Sequence, residues 1–388
     1  MIDIDKQLKL HKFIVFGEDH FNPLGLCRSL GEVGIKPIVV VFGANPHILS
    51  RCKYIESITH FKEMDEALKY IETTYGEEEY KPFILTGADN TTQLLDENYN
   101  RLIDKFYFFN CGRQGEVTRF MDKETICDLA EKCGIEKPKG EILRRGVLPK
   151  SLHYPVLTKV TMSTKGAWKD DVFVCENEEE LKKAYSLIKA DELLVQEFID
   201  KKNELCVDGI SVNGGEEIWI PYRSEYIRFL KKSYGEYMWI KPFVDQSTIK
   251  KIKDILKATN FSGIFSLECL EDKNDNLYFL EVNFRNSTWS YAYTYAGLNL
   301  PYEWAKAMIS GHIDYSAHLK EEPFKAITEP SDFINSVVRE KQVGIRQWIK
   351  DLRSCEVTYY YNKADKKPLI GFFIGRTITA LKSIFGKR

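Results

Sequence analysis

Short, unbroken apolar runs separated by helical stretches dominate the start of the chain. Phe13-Ile14-Val15-Phe16-Gly17 reads as a buried parallel strand, residues 24–34 as a helix closed by glycine, and residues 37–42 as a second strand. A second round follows, with a helix over 65–75, a strand over 82–87 and a helix from Asn90 onward. This βαβ order predicts a small, open, mostly parallel α/β domain over residues 1–115. Open parallel sheets bind ligands beyond the carboxyl ends of their strands, which puts Glu18, Asp19 and Gly87-Ala88-Asp89-Asn90 where a substrate would sit. No G-x-G-x-x-G follows the first strand, so a dinucleotide site is disfavoured. Asp89 and Asn90 read more readily as helix caps than as ligands.

Beyond residue 115 the pattern changes. A helix over 122–134 leads to strands over 155–160 and 171–175, with the polar turn Ser163-Thr164-Lys165-Gly166 between them. A helix over 178–189 precedes the apolar run 193–199, and alternating strands occupy 205–222. This block is α+β. Further on, 264–270 and 277–282 form the two strands of a predicted hairpin, joined by a charged turn.

That hairpin carries the most informative chemistry. Glu268 interrupts an apolar strand and Glu281 ends the next, where unpaired carboxylates would be costly. A divalent cation neutralises such a pair economically, since Mg²⁺ takes a few carboxylate or amide oxygens and completes its shell with water and nucleotide phosphates. Asn283 lies two residues after Glu281, on the same strand face, and offers a neutral oxygen. Arg285 follows at the same spacing, where a guanidinium could hold a phosphoryl or acyl-phosphate oxygen or simply form an ordinary surface salt bridge. Acid-x-Asn recurs at Asp96-Glu97-Asn98 and Asp272-Lys273-Asn274, so a solvated strand end paired with lysine stays open on local sequence alone.

Phosphoryl transfer also demands positive charge around the phosphates. Lys159 interrupts an apolar strand, which favours an anionic partner, whereas Lys123, opening a helix after Asp122, would be unremarkable by itself. Lys165 and Gly166 belong to a turn that fits either a phosphate flap or a plain hairpin. Glu197-Phe198-Ile199 offers an apolar edge for a purine, and Glu204 a carboxylate for ribose hydroxyls.

Composition narrows the classes. With 388 residues, 44% hydrophobic and 13% aromatic, the chain can bury cores in two or three globular units. Charged residues make up 29%, yet the net charge is only -2, so no global field recruits nucleic acid. The seven histidines form no H-x-x-x-H pair, which leaves a metallohydrolase without its ligands. Nine scattered cysteines without C-x-x-C point to a reducing compartment. The start Met1-Ile2-Asp3-Ile4-Asp5-Lys6 lacks the pattern of a signal peptide, and no run of about 18 apolar residues could span a bilayer. Residues 368–388 mix Leu369, Ile370, Phe372, Phe373, Ile374, Leu381, Ile384 and Phe385 with Arg376, Lys382, Lys387 and Arg388 and hold no acid. Two placements stay open for this stretch: a helix packed on its own domain or on a second copy in a homodimer, and a peripheral contact with anionic membrane.

Taken in order, Lys123, Lys159, Glu197-Phe198-Ile199, Glu204, Glu268, Glu281, Asn283 and Arg285 resemble the motifs of the ATP-grasp superfamily, specifically its carboxylate-amine ligases. Departures are Phe284 in place of the proline of Asn-Pro-Arg, Val160 after Lys159, and a single glycine in the lid turn. Residues 25–37 and 49–54 are similar to the branch that includes D-aspartate ligases and carbamoyl-phosphate-synthase-like proteins. The resemblance implies an ATP-grasp fold: a pre-ATP-grasp α/β domain over 1–115, an ATP-grasp domain over 116–315 with its lid at about 150–200, and an extension over 316–388. It implies ATP bound by Lys123, Lys159, Lys165, Gly166, Glu197, Phe198, Ile199 and Glu204. Mg²⁺, with Mn²⁺ as the alternative, would sit on Glu268, Glu281 and Asn283, and catalysis would involve Arg285 and Lys159. The implied reaction phosphorylates a carboxylate and lets an amine attack, giving an amide, ADP and phosphate in the cytoplasm or at its membrane face, with a cell-envelope precursor or an amino-acid conjugate as the product class. Carboxyphosphate or carbamoyl-phosphate chemistry and a degenerate nucleotide-binding scaffold are the alternatives.

Overall fold

The computed structural model describes residues 4–160, 172–230 and 235–385. Its first sheet is built from β1 (Phe13–Gly17), β2 (Ile38–Phe42), β3 (Ser57–Phe61) and β4 (Phe83–Thr86), all parallel in the order β3-β2-β1-β4. Residues of β1, β2 and β4 are buried on both faces, as parallel strands flanked by helices must be. Ile14, Phe16, Ile38 and Val40 pack on α2 (Met64–Tyr75), while Val15, Val39 and Leu85 face the opposite core with α1 (Phe21–Glu32). α1 starts three residues before the predicted 24–34 helix. Pro23 sits in its first turn, where a missing N–H costs nothing, and His20 Nδ1 accepts from the Asn22 amide at 3.3 Å. α3 (Asp89–Glu97) follows β4. The chain leaves β1 toward β2 on one side and reaches β4 on the other, so the crevice opens between the carboxyl ends of β1 and β4.

α4 (Lys123–Lys132) is capped by Asp122, which accepts from the Thr125 amide at 2.9 Å. A small antiparallel sheet follows, made of β5 (Gly140–Arg144), β6 (Val156–Val160), β7 (Val174–Cys175) and β8 (Glu192–Glu197) in the order β5-β8-β6-β7. Together with α5 (Glu178–Leu187) it has its own core, including Val156, Leu181, Leu193 and Val195.

The largest sheet has eight strands: β9 (Lys201–Val212), β10 (Glu217–Trp219), β11 (Tyr222–Tyr226), β12 (Tyr237–Pro242), β13 (Gly263–Asp272), β14 (Leu277–Asn283), β15 (Phe324–Ile327) and β16 (Val357–Thr358). Its order is β14-β13-β9-β11-β12-β15-β16, with β10 on β9. α6 (Gln246–Ala258), α7 (Ser290–Tyr295) and α8 (Leu300–Ser310) pack around it, and α9 (Ile345–Arg353) and α10 (Lys367–Phe385) come last. Residues 316–388 thus supply two strands of this sheet. They are also tied to the first domain: Arg28, fully buried in α1, donates to Asp365 Oδ2 at 3.1 Å and to the Tyr360 carbonyl at 3.0 Å. All nine cysteines are free thiols.

Candidate active site

Residues two apart on a strand share a face, so Glu204, Cys206 and Asp208 of β9 point the same way. β13 places Glu268 opposite Cys206 and Ser266 opposite Asp208. β14 then sets Glu281 opposite Glu268 and Asn283 opposite Ser266. Three adjacent strands therefore present Glu204, Asp208, Glu268, Glu281 and Asn283 on one face. The register steps from Glu268–Glu281 to Cys269–Phe279, leaving Leu280 as the extra residue of a bulge, a device that re-aims side chains beside sites.

Crowding sets the electrostatics. The Glu268 carboxyl is pushed well above its usual range, first by burial and then by Glu281 and Glu204, with Arg285 working against the rise. Ligand atoms of Glu204, Cys206 and Glu268 lie within 4.8 Å of one another. Burial raises the Cys206 thiol well above its ordinary range, so it stays protonated and is a poor partner for a hard cation. The carboxylates and the Asn283 amide are an oxygen donor set of the kind Mg²⁺ prefers. The residues present fit the ion.

Positive charge comes from two other elements. Lys123, at the start of α4, reaches Glu281 Oε2 at 3.7 Å. Lys159 of β6 donates to Gln196 Oε1 at 3.2 Å, and its ammonium is pulled below the usual lysine range by burial and then by the like charge of Lys123. The large sheet, α4 and the small antiparallel sheet thus converge on the acid face. Glu197 ends β8, and Phe198 and Ile199 lead from it toward β9. There the Glu197 amide donates to the Lys139 carbonyl at 2.8 Å, and the Phe198 amide to the Pro155 carbonyl at 2.9 Å. Glu204 is paired with Lys201. Lys165 and Gly166, with Ser163 and Thr164, lie outside the described residues.

Arg285 links this face to the first domain. Its Nε donates to Asp89 Oδ1 at 2.6 Å and its Nη2 to Asn283 Oδ1 at 3.0 Å, while Asn283 Nδ2 donates to Glu281 Oε1 at 3.3 Å. The cap expectation at α3 is therefore corrected. Ala88 holds the cap position without a side-chain bond and Asp89 spends its carboxylate on Arg285, while Asn90 Oδ1 accepts from the Thr91 amide at 2.8 Å in the first turn and its Nδ2 donates to Glu18 Oε1 at 3.5 Å. The crevice of the parallel sheet and the acid face of the large sheet meet at Arg285. His20 borders it, its imidazole held neutral with a pKa lowered to about 4 by burial and the Arg285 charge. Phe284, which stands where the motif has proline, is fully buried against Phe261 with ring centres 4.9 Å apart.

Asp208 and the pairing of Asp89 with Arg285 escaped the reading of the sequence. Asp208 is 2% exposed, and its Oδ1 has no hydrogen-bond partner among the described residues. Burial pushes its carboxyl up to about 6 against hydrogen bonds from Ser287 and Ser266. An acid inside the apolar run Leu205-Cys206-Val207-Asp208-Gly209-Ile210 is the same signal that singled out Glu268. The place of Asp89 beyond β4 was readable, but its pairing was not, because its partner lies 196 residues away.

No protein-family model matches the sequence. The propionyl-CoA carboxylase alpha chain of Sus scrofa is 29% identical over 166 residues, 39% of this chain and 22% of that one, so the chain spans about a fifth of the carboxylase's length. The D-aspartate ligase of Enterococcus faecium is 22% identical over 317 residues, covering 74% of each chain. Among solved structures, N5-carboxyaminoimidazole synthetase from Staphylococcus aureus superposes with a TM-score of 0.64 at 14% identity, over 85% of this chain and 86% of that one. The same synthetase is also solved in complex with ADP. The chain has the ATP-grasp fold. Its resemblance to the carboxylate-amine ligases of that fold is borne out by the match to the D-aspartate ligase.

Proposed function

We propose that this chain is an ADP-forming ligase that activates a carboxylate as an acyl phosphate and joins it to an amine. The observation that carries this reading is the meeting of the Glu268, Glu281 and Asn283 face with Arg285 at the crevice of the first domain. Mg²⁺ held there, or Mn²⁺, would neutralise phosphate charge and align the γ-phosphoryl group. Arg285, bidentate by nature and held by Asp89 and Asn283, binds an oxygen of the acyl phosphate. Lys159 and Lys123 face the phosphates from the lid and from α4, and their mutual repulsion is relieved when an anion enters between them. Phe198 and Ile199 line the purine side after β8, and Glu204 accepts from ribose hydroxyls. In this reading Lys165 and Gly166 cover the phosphates. Catalysis is then positioning and charge stabilisation, with no serine or cysteine nucleophile.

The D-aspartate ligase, matched over 74% of both chains, supports amine ligation. The synthetase and carboxylase likenesses favour a second reading, in which bicarbonate is the carboxylate. ADP release measured against a panel of carboxylates and amines, with bicarbonate as one arm, tests both. Release that needs a carboxylate and an amine supports ligation, release driven by bicarbonate alone supports the second reading, and no release with any pair overturns both.

A further inference from the structure

α10 is 19 residues long, ~28 Å, and its two halves have different surroundings. The first half is packed. Phe372 is buried against Tyr360, with ring centres 4.6 Å apart, and Gly371 lies so close to the His47 carbonyl that a Cβ there would come within 2.0 Å of it. Gly375, one turn on, also faces His47. From Arg376 the surroundings open, and Arg376, Thr377, Thr379, Ala380, Leu381 and Lys382 are all exposed.

Opposite the packed side runs an apolar stripe. Ile370 and Phe373 are 56% exposed and Leu381 48% exposed, at spacings that place them on one side of the helix. Charge around the stripe has a single sign. From Lys366 onward the sequence has Lys366, Lys367, Arg376, Lys382, Lys387 and Arg388 and no Asp or Glu, in a chain whose net charge is -2. The last acid before it, Asp365, is buried on Arg28.

We propose that α10 is a peripheral anchor that lays Ile370, Phe373 and Leu381 into the interface of an anionic lipid surface. Apolar residues on one side and cations without acids around them are what such a surface selects. A second copy of the chain fits poorly, because two helices carrying only cations repel where they would meet. Spanning is excluded for the described residues, none of whose helices is long and apolar enough to cross a membrane. The anchor stands close to the carboxyl end of β1. His47, under Gly371, precedes Ile48 and Leu49, whose amides donate to the Asp19 carboxylate at 2.9 and 2.8 Å, and Asp19 lies just beyond β1. Docking through α10 brings the crevice of the first domain near the lipid.

Co-sedimentation of the full chain with vesicles tests this, using phosphatidylcholine mixed with phosphatidylglycerol against phosphatidylcholine alone. The intact chain pellets with the mixed vesicles, does so less as salt is raised, and stays soluble with the neutral ones. Arg376→Gln with Lys382→Gln weakens partition about thirty-fold. Phe373→Asp with Leu381→Asp abolishes it, and both pairs of exposed sites leave the fold intact by circular dichroism. Absence of pelleting, or equal pelleting of all variants, overturns the anchor. So does vesicle-free self-association that disappears in Phe373→Asp with Leu381→Asp, which would assign the stripe to a second copy.

Discussion

Glu268 and Glu281 stand directly opposite each other on β13 and β14, two carboxylates paired across strands at the centre of the site. Burial first and Glu281 next hold the Glu268 carboxyl well above its usual range, so keeping Glu281 charged beside it costs stability. Glu281→Gln should therefore make the metal-free protein slightly more stable while lowering ADP formation by about a hundred-fold or more. Urea unfolding and a coupled ADP assay on one preparation check both halves. A variant that is less stable and fully active would remove the site from this hairpin.

The Arg285–Asp89 bond of 2.6 Å fixes a guanidinium between two domains. A lysine keeps the charge but cannot reach Asp89 and Asn283 together. Arg285→Lys is expected to lower kcat by about 10²–10³ and to leave the KM for ATP close to its starting value. Steady-state kinetics with saturating carboxylate separates the two. A raised KM for ATP at unchanged kcat would place Arg285 on the nucleotide instead.

Asp208 predicts a pH dependence. Its carboxyl is raised from 3.8 to about 6 in the folded chain, so the folded state holds the proton more tightly than the unfolded one. The stabilisation from that proton is full below 3.8 and is lost as pH rises toward about 6. Asp208→Asn, which cannot ionise, should gain relative stability over the same window, by at most about 3 kcal/mol at neutral pH. Urea unfolding of both proteins on either side of the window reads the difference. Parallel pH profiles would mean that Asp208 ionises freely.

Arg28 and Asp365 form a buried ion pair between the first domain and the segment before α10. Arg28→Met strands the carboxylate and is expected to cost about 3–5 kcal/mol. Arg28→Met combined with Asp365→Leu should recover much of the loss, because no unpaired charge stays buried. Chemical denaturation of the two variants checks the order.

Much of this architecture was legible in local pattern. The apolar runs at β1, β2 and β4 have no other stable placement than a parallel sheet, and Glu268 and Glu281 stood out as acids in apolar strands. α6 was less visible, although Asp245 caps it through the Ser247 and Thr248 amides. The cross-domain contacts were hidden for a simple reason. Asp89 and Arg285, or Arg28 and Asp365, carry no periodic signal, and only the closed tertiary structure brings them together. Residues 316–388 read as an extension because two of their strands, Phe324–Ile327 and Val357–Thr358, are too short to announce the sheet they complete.

In the proposed reaction a carboxylate oxygen is phosphorylated on the Glu268–Glu281 face. Supplying a carboxylate labelled with heavy oxygen, together with ATP, Mg²⁺ and an amine, and analysing the released phosphate by mass spectrometry, tests it most directly. The expected products are ADP and a phosphate that carries one labelled oxygen from the carboxylate. Unlabelled phosphate, or AMP and pyrophosphate as products, would contradict it.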